Sequence, residues 1–127
     1  MAIMKIKKLT PMLSTKKIRE TVDFYTGVLG FTCPNFVEEW GWAVVACGDI
    51  EIMFALPNEH LPFEKPAFTG SFYFNVENAD EIWEKLKDKT NVCYPIEDFD
   101  YGMREFAVHD NNGYLLQFGH SIDDEPV

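Results

Sequence analysis

Two stretches of this 127-residue sequence run through the same succession of patterns: an extended segment, an amphipathic helix, then three further extended segments. A shift of about 61 residues lays Ile18, Val22 and Tyr25 on Ala79, Trp83 and Leu86, all on helix stripes. A shift of about 64 lays Gly48 to Phe54 on Asn112 to Phe118. The halves share pattern rather than identity. One βαβββ unit buries a single face of its sheet under its helix, so the other, curved face needs a partner, and pairing two units makes a cleft there. The expected architecture is α+β: two paired βαβββ modules, about 5–56 and 70–120, forming a curved mixed sheet around a cleft, in one domain spanning 1–127.

The punctuation supports this reading. The first helix starts near Ser14 or Thr15, either of which can cap it, and stops in the Gly27–Gly30 region. The second opens on Asn78-Ala79-Asp80-Glu81, close to a capping box, and buries Ala79, Ile82, Trp83 and Leu86. Strands read at about 5–12, 34–40, 42–47, 50–56, 70–76, 92–96, 103–109 and 114–119. Asn112-Gly113 is a hairpin signal, with Gly48-Asp49 at the corresponding place in the first half. The acidic end, 121–127, reads as frayed.

Charge narrows the function classes. Eleven basic against twenty-one acidic residues leave a net charge of −10, which argues against nucleic acid as a partner and is compatible with a cationic ligand. Nothing approaches 18 consecutive apolar residues, so no membrane span is expected, and no apolar stretch follows the basic start at 1–8 as a signal peptide requires. Cys33, Cys47 and Cys93 show no paired spacing and read as reduced thiols of a cytoplasmic protein. Cys47 and Cys93 are expected to be small buried hydrophobes.

Several segments resemble the vicinal oxygen chelate superfamily of glyoxalases, bleomycin-resistance proteins and extradiol dioxygenases. They are Phe24-Tyr25 with Leu29-Gly30-Phe31, Gly48-Asp49 with its strand, and Arg104 to Val108 followed by Asp110 to Gly113. The resemblance implies paired βαβββ modules, often a homodimer, and in the enzymes a divalent metal held by His, Gln or Glu at three places. Those places fall on Thr10, Ser71 and Gln117 here. Two neutral hydroxyls and an amide bind such a metal poorly, so neither metal nor cofactor is expected. His60, His109 and His120 read as surface or rim residues, His120 facing away from the cleft. Thr10 to Leu13, Phe31 to Glu39 and Arg104 to Val108 are most similar to bleomycin-resistance proteins. Those are acidic dimers that sequester a cationic drug, with an N-terminal proline segment crossing to the partner; Pro11 stands at that place, and a simple edge-strand proline is an equal reading of it.

With Gln117 as the reference, alternation turns Leu115, Gln117 and Gly119 toward the cleft and Tyr114, Leu116 and Phe118 under the second helix. It also turns Glu51, Met53, Ser71, Tyr73, Asn75, Glu105 and Ala107 inward. Ile50, Ile52, Phe54, Phe72, Phe74, Val76, Phe106 and Val108 then pack behind. Glu51 and Glu105 can capture an ammonium or guanidinium group, or form structural ion pairs with Arg104 or a lysine. Trp40, Trp42, Phe99 and Tyr101 can stack a flat ligand; for Trp42, which shares parity with Val44, core packing is favoured. The reading is a homodimeric, non-enzymatic protein that binds a cationic, partly aromatic small molecule through Trp40, Glu51, Met53, Ser71, Tyr73, Asn75, Tyr101, Glu105 and Gln117. The alternatives are a metal-dependent lyase, isomerase or dioxygenase with an atypical ligand set, or a metal-free enzyme with Glu105 as general base.

Overall fold

The computed structural model describes residues 4–60 and 62–124, which fall into two compact units divided between Phe63 and Glu64. Unit one holds β1 (Met12–Ser14), α1 (Ile18–Asp23), β2 (Thr32–Val37), β3 (Trp42–Cys47) and β4 (Ile50–Ala55). Unit two repeats the order with β5 (Phe72–Asn75), α2 (Ala79–Leu86), β6 (Asn91–Asp98), β7 (Met103–His109) and β8 (Leu115–Ser121). The sheets match: β1-β4-β3-β2 and β5-β8-β7-β6, each with its first strand parallel to its last and the other pairs antiparallel. Both are βαβββ modules, the α+β architecture that the repeat predicts.

The helix-facing sides are apolar because alternation places them so. In unit one, Ile18, Val22 and Tyr25 are buried with Ile52 and Phe54, and the Tyr25 ring lies 5.0 Å from that of Phe54. In unit two, Phe106 sits between Trp83 and Phe118, with centroids 5.2 and 5.1 Å away, and Phe74 stacks on Phe118. Ala79 and Leu86 are buried, while Ile82 and Trp83 are half-buried. The Asn78 side chain caps α2 by accepting the Glu81 N–H. The buried carboxylate of Asp110 accepts the N–H groups of Asn112, Gly113 and Tyr114, which sets the β7–β8 turn, and Gly113 takes φ +102°.

Other expectations need correction. The strand read at 5–12 pairs only over Met12–Ser14, because Pro11 has no N–H to carry the ladder upstream; its carbonyl accepts from Met53 N–H and pairing starts there. Neither Ser14 nor Thr15 caps α1: Ser14 ends β1, and Thr15 accepts the Lys17 N–H one turn early while sharing a hydrogen bond with Thr21. That helix then widens into a π-helical turn, Phe24–Val28, before Gly30 at φ +79°.

Val44 pairs with Met53, and Trp42 with Ala55. Directly opposed residues share a face, so Trp42 and Val44 lie on the open side with Glu51, and Ala43 and Val45 pack behind. Ile50, expected behind, is 46% exposed at the edge of the β3–β4 turn. Cys47 and Cys93 are exposed rather than buried, Cys47 beside the turn and Cys93 at a bulge of β6. The end of the chain is not frayed as far as Asp124: β8 runs to Ser121 and a 3₁₀ turn covers Ile122–Asp124. Residues 125–127, and 1–3 of the basic start, lie outside those described. His120 is therefore a strand residue; its buried Nδ1 accepts the Ala79 N–H at 2.9 Å and helps to fix the start of α2. Among the described residues no helix is long and apolar enough to cross a membrane.

Candidate functional site

The open face of the second sheet carries the most developed polar cluster, centred on Glu105. Its partner across β8 is Gly119, and across β6 it opposes Glu97. The absence of a side chain at Gly119 has a direct use: a Cβ there would stand 2.2 Å from the Tyr73 hydroxyl and 3.0 Å from Glu105 Cβ. The Tyr73 ring fills that space and donates its hydroxyl proton to Glu105 Oε1 at 2.7 Å. Tyr94, reaching over from β6, donates to Oε2. Tyr101, from the β6–β7 hairpin, stacks on Phe99 at the edge of this cluster. Glu105 is 0% exposed, and among the described residues no cationic side chain lies within ion-pair distance of it. Arg104, one residue away, points to the other side of the sheet, where Asp80 and Asp98 hold it at 2.8 and 3.0 Å.

Around this centre the hydrogen bonds continue. Gln117 donates from Nε2 to the Tyr94 oxygen at 2.9 Å and accepts at Oε1 from Ser71 Oγ at 2.5 Å. Tyr94, Phe99 and Tyr101 form an aromatic wall, Phe99 and Tyr101 stacked with centroids 5.4 Å apart and Tyr101 63% exposed. Beside Gly119 opens a cavity of about 450 Å³ lined in part by Asn75, Met103, Gly119 and Ser121.

Burial and the hydrogen bonds to Glu105 raise the hydroxyl pKa of Tyr73 and of Tyr94 above the ordinary phenol value of 10.0. Partial burial and the nearby Glu105 and Glu97 carboxylates push Tyr101 up to about 12. A phenol that holds its proton more tightly when folded contributes stability below its unfolded pKa and loses it as pH rises through the folded value. Alkaline titration followed by tyrosinate absorbance is therefore expected to ionise Tyr73, Tyr94 and Tyr101 late, with unfolding accelerating above about pH 10. A single transition at the ordinary phenol value in folded protein contradicts the cluster.

The structure brings together Ser71, Tyr73, Tyr101, Glu105 and Gln117 of the expected site residues, with Asn75 lining the adjoining cavity. Glu105 is sealed beneath tyrosines rather than presented on a partly desolvated surface, and its ion pair with Arg104 does not form. Glu51, Met53 and Trp40 belong to unit one. Glu51 pairs with Lys8 at 2.6 Å, which is the structural ion-pair alternative for that residue. Trp40 sits on a 3₁₀ turn, 75% exposed. Sequence reasoning missed Tyr94 and Glu97: two irregularities in β6, between Val92 and Tyr94 and between Tyr94 and Glu97, break the alternation that would have assigned their faces.

The three implied metal positions do not suit a divalent ion. Ser71 and Gln117 satisfy each other, Thr10 adds only a hydroxyl, and among the described residues no three His, Cys, Asp or Glu side chains converge.

The family model described as the Glyoxalase/Bleomycin resistance protein/Dioxygenase superfamily matches residues 6–118. Among solved structures, TioX from Micromonospora sp. ML1 is 18% identical with a TM-score of 0.69, over 89% of this chain and 97% of that one. A lactoylglutathione lyase from Agrobacterium tumefaciens is 16% identical with a TM-score of 0.71, over 89% and 92%. A glyoxalase/bleomycin resistance protein/dioxygenase from Nocardioides is 16% identical with a TM-score of 0.77, over 99% and 91%. Nothing matches among curated protein sequences. At these identities the likeness shows a shared fold.

Proposed function

Since this chain belongs to the glyoxalase/bleomycin resistance protein/dioxygenase superfamily, whose membership fixes a fold rather than an activity, we propose that it binds a cationic, partly aromatic small molecule without transforming it. The observation that carries this reading is Glu105: a buried acidic group with no cationic side chain at ion-pair distance among the described residues, beside the stacked Phe99–Tyr101 pair. A cation docked on the tyrosine hydroxyls gains charge-assisted hydrogen bonding and cation–π attraction, while its flat part stacks on the exposed Tyr101 ring. Glu97, opposite Glu105 on β6, and the net charge of −10 add a field that draws cations in. Sequestration of a toxic cationic compound is the physiological role that fits such binding.

A homodimer belongs to the same proposal. Met4, Ile6, Leu9 and Met12 are exposed apolar residues flanking Pro11, and a second copy would cover them.

The test is a fluorescence titration with proflavine, a planar heteroaromatic cation. Saturable binding with a Kd of about 10 μM or below, weakened by salt and leaving the dye chemically unchanged, is expected. Absence of saturation at millimolar dye overturns the reading. So does stoichiometric metal in protein purified without chelator, which would direct attention to lyase and dioxygenase assays.

A further inference from the structure

Building on the cation-binding reading, we infer that the unit-two face favours ligands that are hydrogen-bond donors, which selects amidinium, guanidinium and protonated amine groups over quaternary ammonium and over anions. The reason is where the protons of the face already point. A phenol or an alcohol has one proton to donate. Tyr73 and Tyr94 direct theirs inward to Glu105, and Ser71 directs its proton to Gln117 Oε1. What Tyr73 and Ser71 have left for a ligand is oxygen lone pairs, and the Tyr94 oxygen already accepts from Gln117.

On the donor side, the second N–H of Gln117 is the remaining fixed group of this cluster, and the Asn75 amide can turn either end toward a ligand. Arg104 supplies no competing donor, because Asp80 and Asp98 engage it on the opposite side of the sheet. A carboxylate or phosphate would face lone pairs backed by the charge of Glu105. A quaternary ammonium would meet attractive charge but have no N–H for the waiting acceptors, leaving them desolvated and unpaired. An amidinium or guanidinium offers several N–H groups in one plane, matched to more than one oxygen at once. Glu105 thus acts on the ligand through the tyrosines: it fixes their hydroxyl direction without touching the bound group.

The experiment compares three phenyl compounds of similar size by calorimetric or ligand-observed NMR titration: benzamidine, benzyltrimethylammonium and benzoate. The wild-type protein is expected to bind benzamidine at least about tenfold more tightly than benzyltrimethylammonium, and benzoate not measurably. In Glu105→Gln the new amide N–H donates to a phenol oxygen, so that phenol's proton turns outward. The preference for benzamidine then falls toward onefold and benzoate gains binding. Tyr73→Phe, which leaves Glu105 in place and remains informative if Glu105→Gln does not fold, is expected to weaken benzamidine alone. Equal affinity of wild type for the two cations overturns the donor rule and leaves the cation-binding reading standing. Failure of both cations to bind overturns that reading and the rule with it. A benzamidine preference unchanged in both variants overturns the assignment to these tyrosines.

Discussion

Glu105→Ala is expected to lower the stability of the protein by about 2–4 kcal/mol and to abolish cation binding. Two effects add. The truncation leaves a void in a fully buried position, and the inward-facing hydroxyls of Tyr73 and Tyr94 lose the acceptor that both oxygens of the carboxylate supply. The strongest hydrogen bonds in the second sheet's open face are therefore also the ones that define its chemistry. Removal of the charge itself offsets part of the loss, since a buried carboxylate costs desolvation whenever it is not fully paired. Thermal unfolding monitored by tyrosine and tryptophan fluorescence measures the outcome, with a fall in Tm on the order of 10 °C. An unchanged midpoint would mean that the cluster contributes nothing to folding and that the hydroxyls find water instead.

The second large effect is expected at Gly119. A methyl group there would sit 2.2 Å from the Tyr73 hydroxyl and 3.0 Å from its Cζ, so Tyr73 must leave its place over β8 and release Glu105. Gly119→Ala is expected to cost about 1–3 kcal/mol through overpacking, and Gly119→Val more. Because the loss runs through one aromatic ring, it should couple strongly to Tyr73. In a double-mutant cycle, Gly119→Ala combined with Tyr73→Phe should be less destabilised than the sum of the single changes. Strict additivity would show that the glycine is needed for its backbone alone and not as a seat for Tyr73.

Much of the fold is legible in the residues. The repeated order of elements, the Asn78 cap, the glycine after the first helix and both hairpin turns all rest on short-range rules, and the structure follows them. Alternation also assigns the faces of β4 and β8, because these strands pair without interruption and one side of each is apolar apart from His120. Glu105, Gln117, Tyr73 and Ser71 fall on the open face for that reason. Alternation fails where the backbone departs from period two. The irregularities of β6 hide Tyr94 and Glu97. In β3 the residues are apolar on both sides, so Trp42-Ala43-Val44-Val45 contains no contrast from which a face can be read, and only its register with β4 decides it.

What the sequence by itself determined is the pair of βαβββ modules and which side of the continuous strands is apolar, since both follow from spacing along the chain. Only the tertiary structure decided what the polar residues do. Glu51 and Glu105 have the same type, parity and apparent opportunity, yet one meets Lys8 and the other is held by tyrosines from β5 and β6. Side-chain partners brought from distant strands set the environment of a charge, and no periodicity along a single strand encodes them.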